Sequence, residues 1–129
     1  MEYQATAKYL RVSPRKARLV ADGIRRLPVA QAILKLRELP RFAARPLLDV
    51  IESAMANAKQ KNASEETLRF HTIEVMGGSV MKRWHAAARG QAHPFKKRMT
   101  HIRIILTDQS KDGEDPGVEK KEKDNGTKN

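Results

Sequence analysis

Residues 75–107, VMGGSVMKRWHAAARGQAHPFKKRMTHIRIILT, decide how the rest of the chain is read. They contain no Asp or Glu and seven cations: Lys82, Arg83, Arg89, Lys96, Lys97, Arg98 and Arg103. A β-rich run leads in from Thr72 to Val75, and another leads out from Ile102 to Leu106. Between them, small residues (Ala86 to Ala88) and then Arg89-Gly90-Gln91 make a hairpin tip, where Gly90 takes positive φ at little steric cost. If the strands meet across Gly90-Gln91, Val75 falls opposite Leu106 and Trp84 lies near Phe95. The two aromatics then pack on each other, stack on unpaired bases, or do both. The arm from Gly78 to the tip has about a dozen residues and spans roughly 40 Å at about 3.3 Å per residue. A globule of about 100 residues has a radius of gyration near 13 Å, so the arm projects. A lone two-stranded ribbon is marginal in water, and an acid-free cationic one calls for a polyanionic partner. Gly77-Gly78 marks a bend or bulge where the ribbon leaves the body, and Pro94 is expected to break the ladder near the tip.

Composition agrees. The chain has 129 residues, 26 Lys plus Arg against 15 Asp plus Glu, and a net charge of +11. Residues 1–107 hold 21 basic and 8 acidic side chains, whereas residues 108–129 hold 5 and 7. Such a basic body points to nucleic acid or an anionic membrane surface. No apolar run approaches 18 residues and no signal-peptide pattern is present, so the expectation is a chain that neither spans nor crosses a membrane. Zero cysteines exclude a disulfide framework and a thiolate metal site. Residues 109–129 have one aliphatic side chain, Val118, and read as a disordered charged tail.

Residues 1–12 alternate loosely and read as a short strand. Ser13 as N-cap and Pro14 at the first helical position start a helix whose apolar stripe is Ala17, Val20, Ala21 and Ile24. Leu19 lies off that stripe. Arg11, Arg15, Lys16, Arg18, Arg25 and Arg26 cluster here beside a single acid, Asp22, which favours phosphate contact over a merely solvated face. A second helix is expected from Val29 to Leu39, with Ala30, Ile33, Leu34 and Arg37 setting its period. The third reaches about Lys59 on the face Leu47, Val50, Ile51, Ala54, Met55 and Ala58. Pro46 requires either that its regular part begin near Arg45 or that a longer helix kink there. Leu68, Phe70, Ile73 and Val75 are extended, and their inward phase flips near His71, which indicates a β-bulge.

No catalytic set emerges. Asp49 and Glu52 lie a turn apart on a helix, Glu65 and Glu66 lie in a loop, and no carboxylate sits among the arm's cations to hold a nuclease's metal ions. His71, His85, His93 and His101 match no usual metal spacing, although His85 and His93 could face each other across the hairpin. No hydroxyl has an adjacent base. The expectation is a binding protein with no cofactor and no small-molecule substrate.

Three separated motifs carry a family resemblance. Ser13-Pro14-Arg15-Lys16, with Arg18-Leu19-Val20-Ala21-Asp22 and Ile24-Arg25, resembles a first-helix signature. Glu52-Ser53-Ala54-Met55-Ala56-Asn57-Ala58 resembles a third-helix signature. Met81-Lys82-Arg83, Arg89-Gly90, Lys97-Arg98 and Thr100-His101-Ile102 resemble a hairpin. In this order they resemble the bacterial large-subunit ribosomal proteins of the L twenty-two family, over residues 5–108. The chain departs from the family pattern at Met76, at Arg26-Leu27 and from Gln91 to Phe95.

The resemblance implies an α+β fold, three helices packed on a small antiparallel sheet with a long protruding β-hairpin. It implies a single RNA-binding domain over residues 1–108, with the extension at about 78–100. It further implies a non-enzymatic constituent of the cytoplasmic ribosome that binds large-subunit ribosomal RNA, neighbours other large-subunit proteins and aids assembly. The tip residues Ala87, Ala88, Arg89, Gly90, Gln91, Ala92 and His93 would line the nascent-peptide exit tunnel, near where macrolide-type inhibitors bind, and so meet the nascent peptide. Joined to the cationic clusters, the resemblance makes Arg11, Ser13, Arg15, Lys16, Arg18, Arg25 and Arg26 candidate RNA-binding residues of the body. Lys82, Arg83, Trp84, Arg89, Lys96, Lys97, Arg98, His101 and Arg103 are those of the hairpin. Two competing readings are weaker. A DNA-bending nucleoid protein with β-arms would be a stable dimer and lacks the first-helix motif, and a small basic nuclease lacks its carboxylates.

Overall fold

The structure is a computed structural model that describes residues 1–108; the tail expected over 109–129 lies outside the described residues. The elements run β1 (Glu2–Leu10), α1 (Pro14–Ile24), α2 (Val29–Glu38), α3 (Ala44–Gln60), β2 (Arg69–Ala86) and β3 (Ala92–Thr107), with single 3-10 turns at Glu65–Thr67 and Ala88–Gly90. The strands form one antiparallel sheet in the order β1-β3-β2. The α+β class, with three helices on a small sheet and a long hairpin, is as expected.

The core lies between one face of the sheet and the helices. Ile102, Ile104 and Leu106 of the central strand point into it, with Tyr3 and Ala5 of β1, Ile73 of β2 and the apolar stripes of α1 and α3. Period-two burial on β3 and the 3.6 period of α3 meet there. Ser13 caps α1 by accepting from the Lys16 N–H at 3.4 Å, and Pro14 opens it; Ala17, Val20, Ala21 and Ile24 are buried. In α3, Pro46 sits in the first turn, whose N–H groups have no intrahelical partner, so no kink is needed. Asn57 donates to the Gln4 carbonyl at 2.9 Å and ties α3 to β1.

Three expectations are corrected. Helix α2 buries Val29, Ala32 and Leu36, and leaves Ala30 and Leu34 exposed with Ile33 half-buried. Its sequence offers apolar residues on several sides, and packing against α3 selects one. The hairpin register also differs: Val75 pairs with Ile102, not Leu106, and Trp84 pairs with Pro94. Phe95 lies opposite Arg83 and stacks on His85 at 5.2 Å, so the two aromatics do not pack on each other. The cause is a turn centred on Arg89 rather than between Gly90 and Gln91, running from Ala87 to Gln91 and closed by the Ala87 N–H donating to the Gln91 carbonyl at 2.7 Å, with the shift between Gly77 and Val80 adding to it. Arg89 (φ 60) and Gly90 (φ 68) both take left-handed conformations there. Finally, Pro94 does not interrupt the ladder, which keeps one register from Val80–Arg98 to Ala86–Ala92. A two-stranded ribbon turns alternate N–H groups to solvent, so a proline at such a position loses no rung.

Both bulges expected in β2 are present, one between Phe70 and Thr72 and one between Gly77 and Val80.

Candidate nucleic-acid interface

The arm begins where β1 stops. The last β1–β3 pair is Leu10 with Thr100, and beyond it β3 has only β2 beside it. At this root the Thr100 hydroxyl, fully buried, donates to the Val12 carbonyl. The His101 Nδ1 accepts from the Tyr9 N–H at 3.0 Å, and the two rings meet edge to face at 4.9 Å. Tyr9 holds φ 58, a strained value for a bulky residue, at the bulge that takes β1 off the sheet. Gly78 passes so close to this cluster that an added Cβ would sit 3.0 Å from His101 Cε1 and 3.3 Å from the Met99 carbonyl oxygen.

From Gly77 to Met99 no side chain is buried. Lys82 pairs directly with Lys96, Met81 with Lys97 and Val80 with Arg98. Like charges directly opposed repel, so the Lys82–Lys96 pair destabilises the isolated ribbon. Trp84 is 62 % exposed, far more than a ribbon with its own core would leave it. Arg83 donates to the neighbouring Lys82 carbonyl, whereas Lys82, Arg89, Lys96, Lys97 and Arg98 have no ion pair among the described residues. His85 faces His93 with ring centroids 6.5 Å apart, but no group of three or more potential metal ligands occurs among the described residues.

The candidates on α1 divide into two kinds. Arg18 donates to the Val75 carbonyl at 3.1 and 3.3 Å, and Arg25 donates to the Ile73 carbonyl at 3.0 Å. β2 is an edge strand whose outward carbonyls lack a strand partner, and these two arginines satisfy them. Arg25 also pairs with Asp22 at 3.3 Å. Arg11, Arg15, Lys16 and Arg26 are exposed and have no ion pair among the described residues. An added Cβ on Gly77 would lie 4.0 Å from the Pro14 ring, so the start of α1 adjoins the arm root and the two cationic clusters are continuous.

Three further candidates also have internal duties. Ser13 caps α1, His101 pins Tyr9, and Arg103 pairs across the sheet with Glu74, its Nε 2.7 Å from the carboxylate. Periodicity gives no warning of a further group, Arg41 and Phe42 of the α2–α3 linker and Arg45 of the first turn of α3, which is exposed. The only signal it leaves in the sequence is a basic residue on either side of an aromatic one.

The chain has clear relatives among known proteins. The family model described as ribosomal protein L22p/L17e matches residues 5–107. The large ribosomal subunit protein uL22 of Mesoplasma florum is 43% identical over 110 residues, covering 84% of this chain and 98% of that protein. Its counterparts in Desulfotalea psychrophila and Syntrophus aciditrophicus are 45% and 47% identical over 107 residues, each covering 82% of this chain and 97% of the relative. By the length and identity of these matches, the chain belongs to the ribosomal protein L22p/L17e family.

Proposed function

We propose that residues 1–108 act as one RNA-binding unit that seats its body on large-subunit ribosomal RNA and extends the arm, residues 78–100, into the subunit. Membership of the family makes the chain a structural, non-enzymatic constituent of the large subunit of the cytoplasmic ribosome, with ribosomal RNA and ribosomal proteins as its partners. The observation that carries the finer reading is the arm: a ribbon with no buried side chain, opposed lysines and no carboxylate. Arg11, Arg15, Lys16 and Arg26 of the body, with Lys82, Arg83, Lys96, Lys97 and Arg98 of the arm, contact phosphates and release counterions. Arg18, Arg25 and Arg103 spend part of their donor capacity inside the protein and use the remaining N–H groups on RNA. Trp84 packs in an RNA crevice. The tip, Ala87 to His93, is slim and carries one cation, Arg89, which suits a segment lining the nascent-peptide exit tunnel.

The test uses tagged full-length protein and a variant in which Ala86–Ala92 is replaced by Asn-Gly. Those two residues can join the directly opposed His85 and His93 by a tight turn. Both proteins should sediment with the large subunit at high salt, and only the variant should change tunnel-dependent behaviour such as nascent-chain pausing. Failure of the wild type to travel with the large subunit would sink the reading. Loss of incorporation in the variant alone would show that the arm, not the body, docks the protein.

A further inference from the structure

The α2–α3 linker holds the most exposed large apolar side chain of the described residues, Phe42, at 77 %. Its position is built, not frayed. Pro40 follows the end of α2, the Arg41 N–H donates to the Leu39 carbonyl at 2.9 Å, and the Ala44 N–H donates to the Arg41 carbonyl at 3.1 Å. Ala43 and Ala44 are buried at 5 % and 2 %, so the backbone directly after the ring is anchored in the core while the ring is held outward. Such a ring gains nothing from folding and invites a partner.

Phe42 is the shared wall of two clefts. One, of about 440 Å³, lies toward α1 and is lined by Arg11, Lys16, Leu19 and Arg41 among others. The second, of about 360 Å³, lies toward β1 and contains Arg45 together with Asp49. The first has three cations and no acid; its apolar floor includes Leu19, 63 % exposed and off the helix's core stripe. An aromatic face beside an apolar floor, ringed by cations, is the chemistry of a stacked nucleobase with its own phosphates at the rim. A protein partner would have to bring carboxylates to the same rim.

We propose that the cleft between α1 and the α2–α3 linker is a second RNA subsite, in which an unpaired base stacks on Phe42 and its flanking phosphates meet Arg11, Lys16 and Arg41. The proposal rests on the RNA-binding reading above and adds to it a base-accepting position. Arg45 extends the cationic rim on the far side of the ring, where Asp49 disfavours a phosphate deep in the cleft.

The experiment measures binding of the full chain to deproteinised large-subunit ribosomal RNA across a salt series. Phe42→Ala should weaken binding roughly tenfold and leave the slope of log affinity against log salt unchanged, because no counterion contact is lost. Phe42→Tyr, which keeps a stacking face, should bind within about twofold of wild type. Arg41→Gln should flatten the slope by about 0.7–0.9. Wild-type affinity in Phe42→Ala would overturn the subsite while leaving the main reading intact; failure of the wild type itself to bind would overturn the main reading. A photo-reactive benzophenone side chain at position 42, in assembled large subunits, should label RNA. Labelling of a ribosomal protein instead would overturn the subsite.

Discussion

The two halves of β3 have the same backbone conformation and opposite surroundings. From Thr100 to Thr107 the strand lies between β1 and β2 beneath the helices, and Ile102, Ile104 and Leu106 are at most 1 % exposed. From Ala92 to Met99 it has one neighbour and buries nothing. Ladder hydrogen bonds are common to both, and their net contribution is modest. What separates the halves is apolar burial, worth about 25 cal/mol per Å², which the body half has and the arm half lacks. The arm instead concentrates cations, with Lys82 directly opposite Lys96. The body therefore has the apolar burial that folding needs, and the arm has shape but little to stabilise it from within the protein.

Hydrogen exchange in the free protein should show the largest difference. Amides of Ile102, Ile104 and Leu106 should exchange only through global opening, on the order of 5–15 kcal/mol for a domain of this kind. Those from Val80 to Lys97 should exchange through fraying at close to zero cost. Adding ribosomal RNA should slow exchange throughout, and in the arm it should create protection where the free protein has almost none. Uniform protection out to Gly90 without RNA would break the contrast.

Side-chain truncation sharpens the same contrast at single residues. Ile104→Ala removes a fully buried side chain from the central strand and should cost about 3 kcal/mol, within the usual range for such cavities. Trp84→Ala removes a larger side chain that is 62 % exposed and should change stability by less than about 0.5 kcal/mol. Urea midpoints followed by circular dichroism decide this. A costly Trp84→Ala would mean that the arm has a packing core of its own.

How much of this was legible in the sequence differs by region for physical reasons. α1 and α3 are plain because each carries one complete apolar stripe, and α1 also has its Ser-Pro start. The bulge near His71 is plain because the burial phase flips there. α2 is not: Val29, Ala30, Ala32, Ile33, Leu34 and Leu36 surround a short helix, and only its neighbours choose the inner face. The arm register is missed because the shift at Gly77–Val80 and the five-residue turn add up, and neither has a fixed sequence signature. Among the site residues, cations are visible as clusters, but the sequence does not say which are engaged internally. Arg18 and Arg25 meet β2 carbonyls some fifty residues away, a contact that only the tertiary fold creates.

The junction between the two regions supplies a smaller effect. Gly78→Ala places a Cβ against the His101 ring, so the ring must move and its bond from the Tyr9 N–H is lost; about 1 kcal/mol is expected. Gly77→Ala meets only the Pro14 ring at 4.0 Å and should be neutral. Thermal midpoints of the two variants, with the Tyr9 amide resonance as a local reporter, make the comparison. Equal behaviour would show that the close approach at Gly78 does not hold the arm root.

The smallest effect is confined to the body by charge alone. The Met1 amine donates to Asp108 at 2.8 Å and the Tyr3 hydroxyl donates to it at 3.1 Å, which clasps the start of β1 to the end of β3. The hydrogen bond from the amine is the main cause that holds the Asp108 carboxyl below its ordinary range, with Tyr3 adding to it. A carboxyl depressed in the folded state stabilises that state above its unfolded pKa, and the contribution disappears as pH falls through the folded value. Acidification below about pH 4 should therefore lower the melting temperature more in the wild type than in Asp108→Asn. Other carboxylates titrate in the same window, so the difference between the two proteins is the measurement. From Val75 to Thr107 there is no carboxylate at all, so arm exchange rates, corrected for intrinsic chemistry, should show no parallel change. If the arm loosened together with the clasp, the two halves of β3 would be energetically coupled, and the arm's structure would depend on the stability of the body.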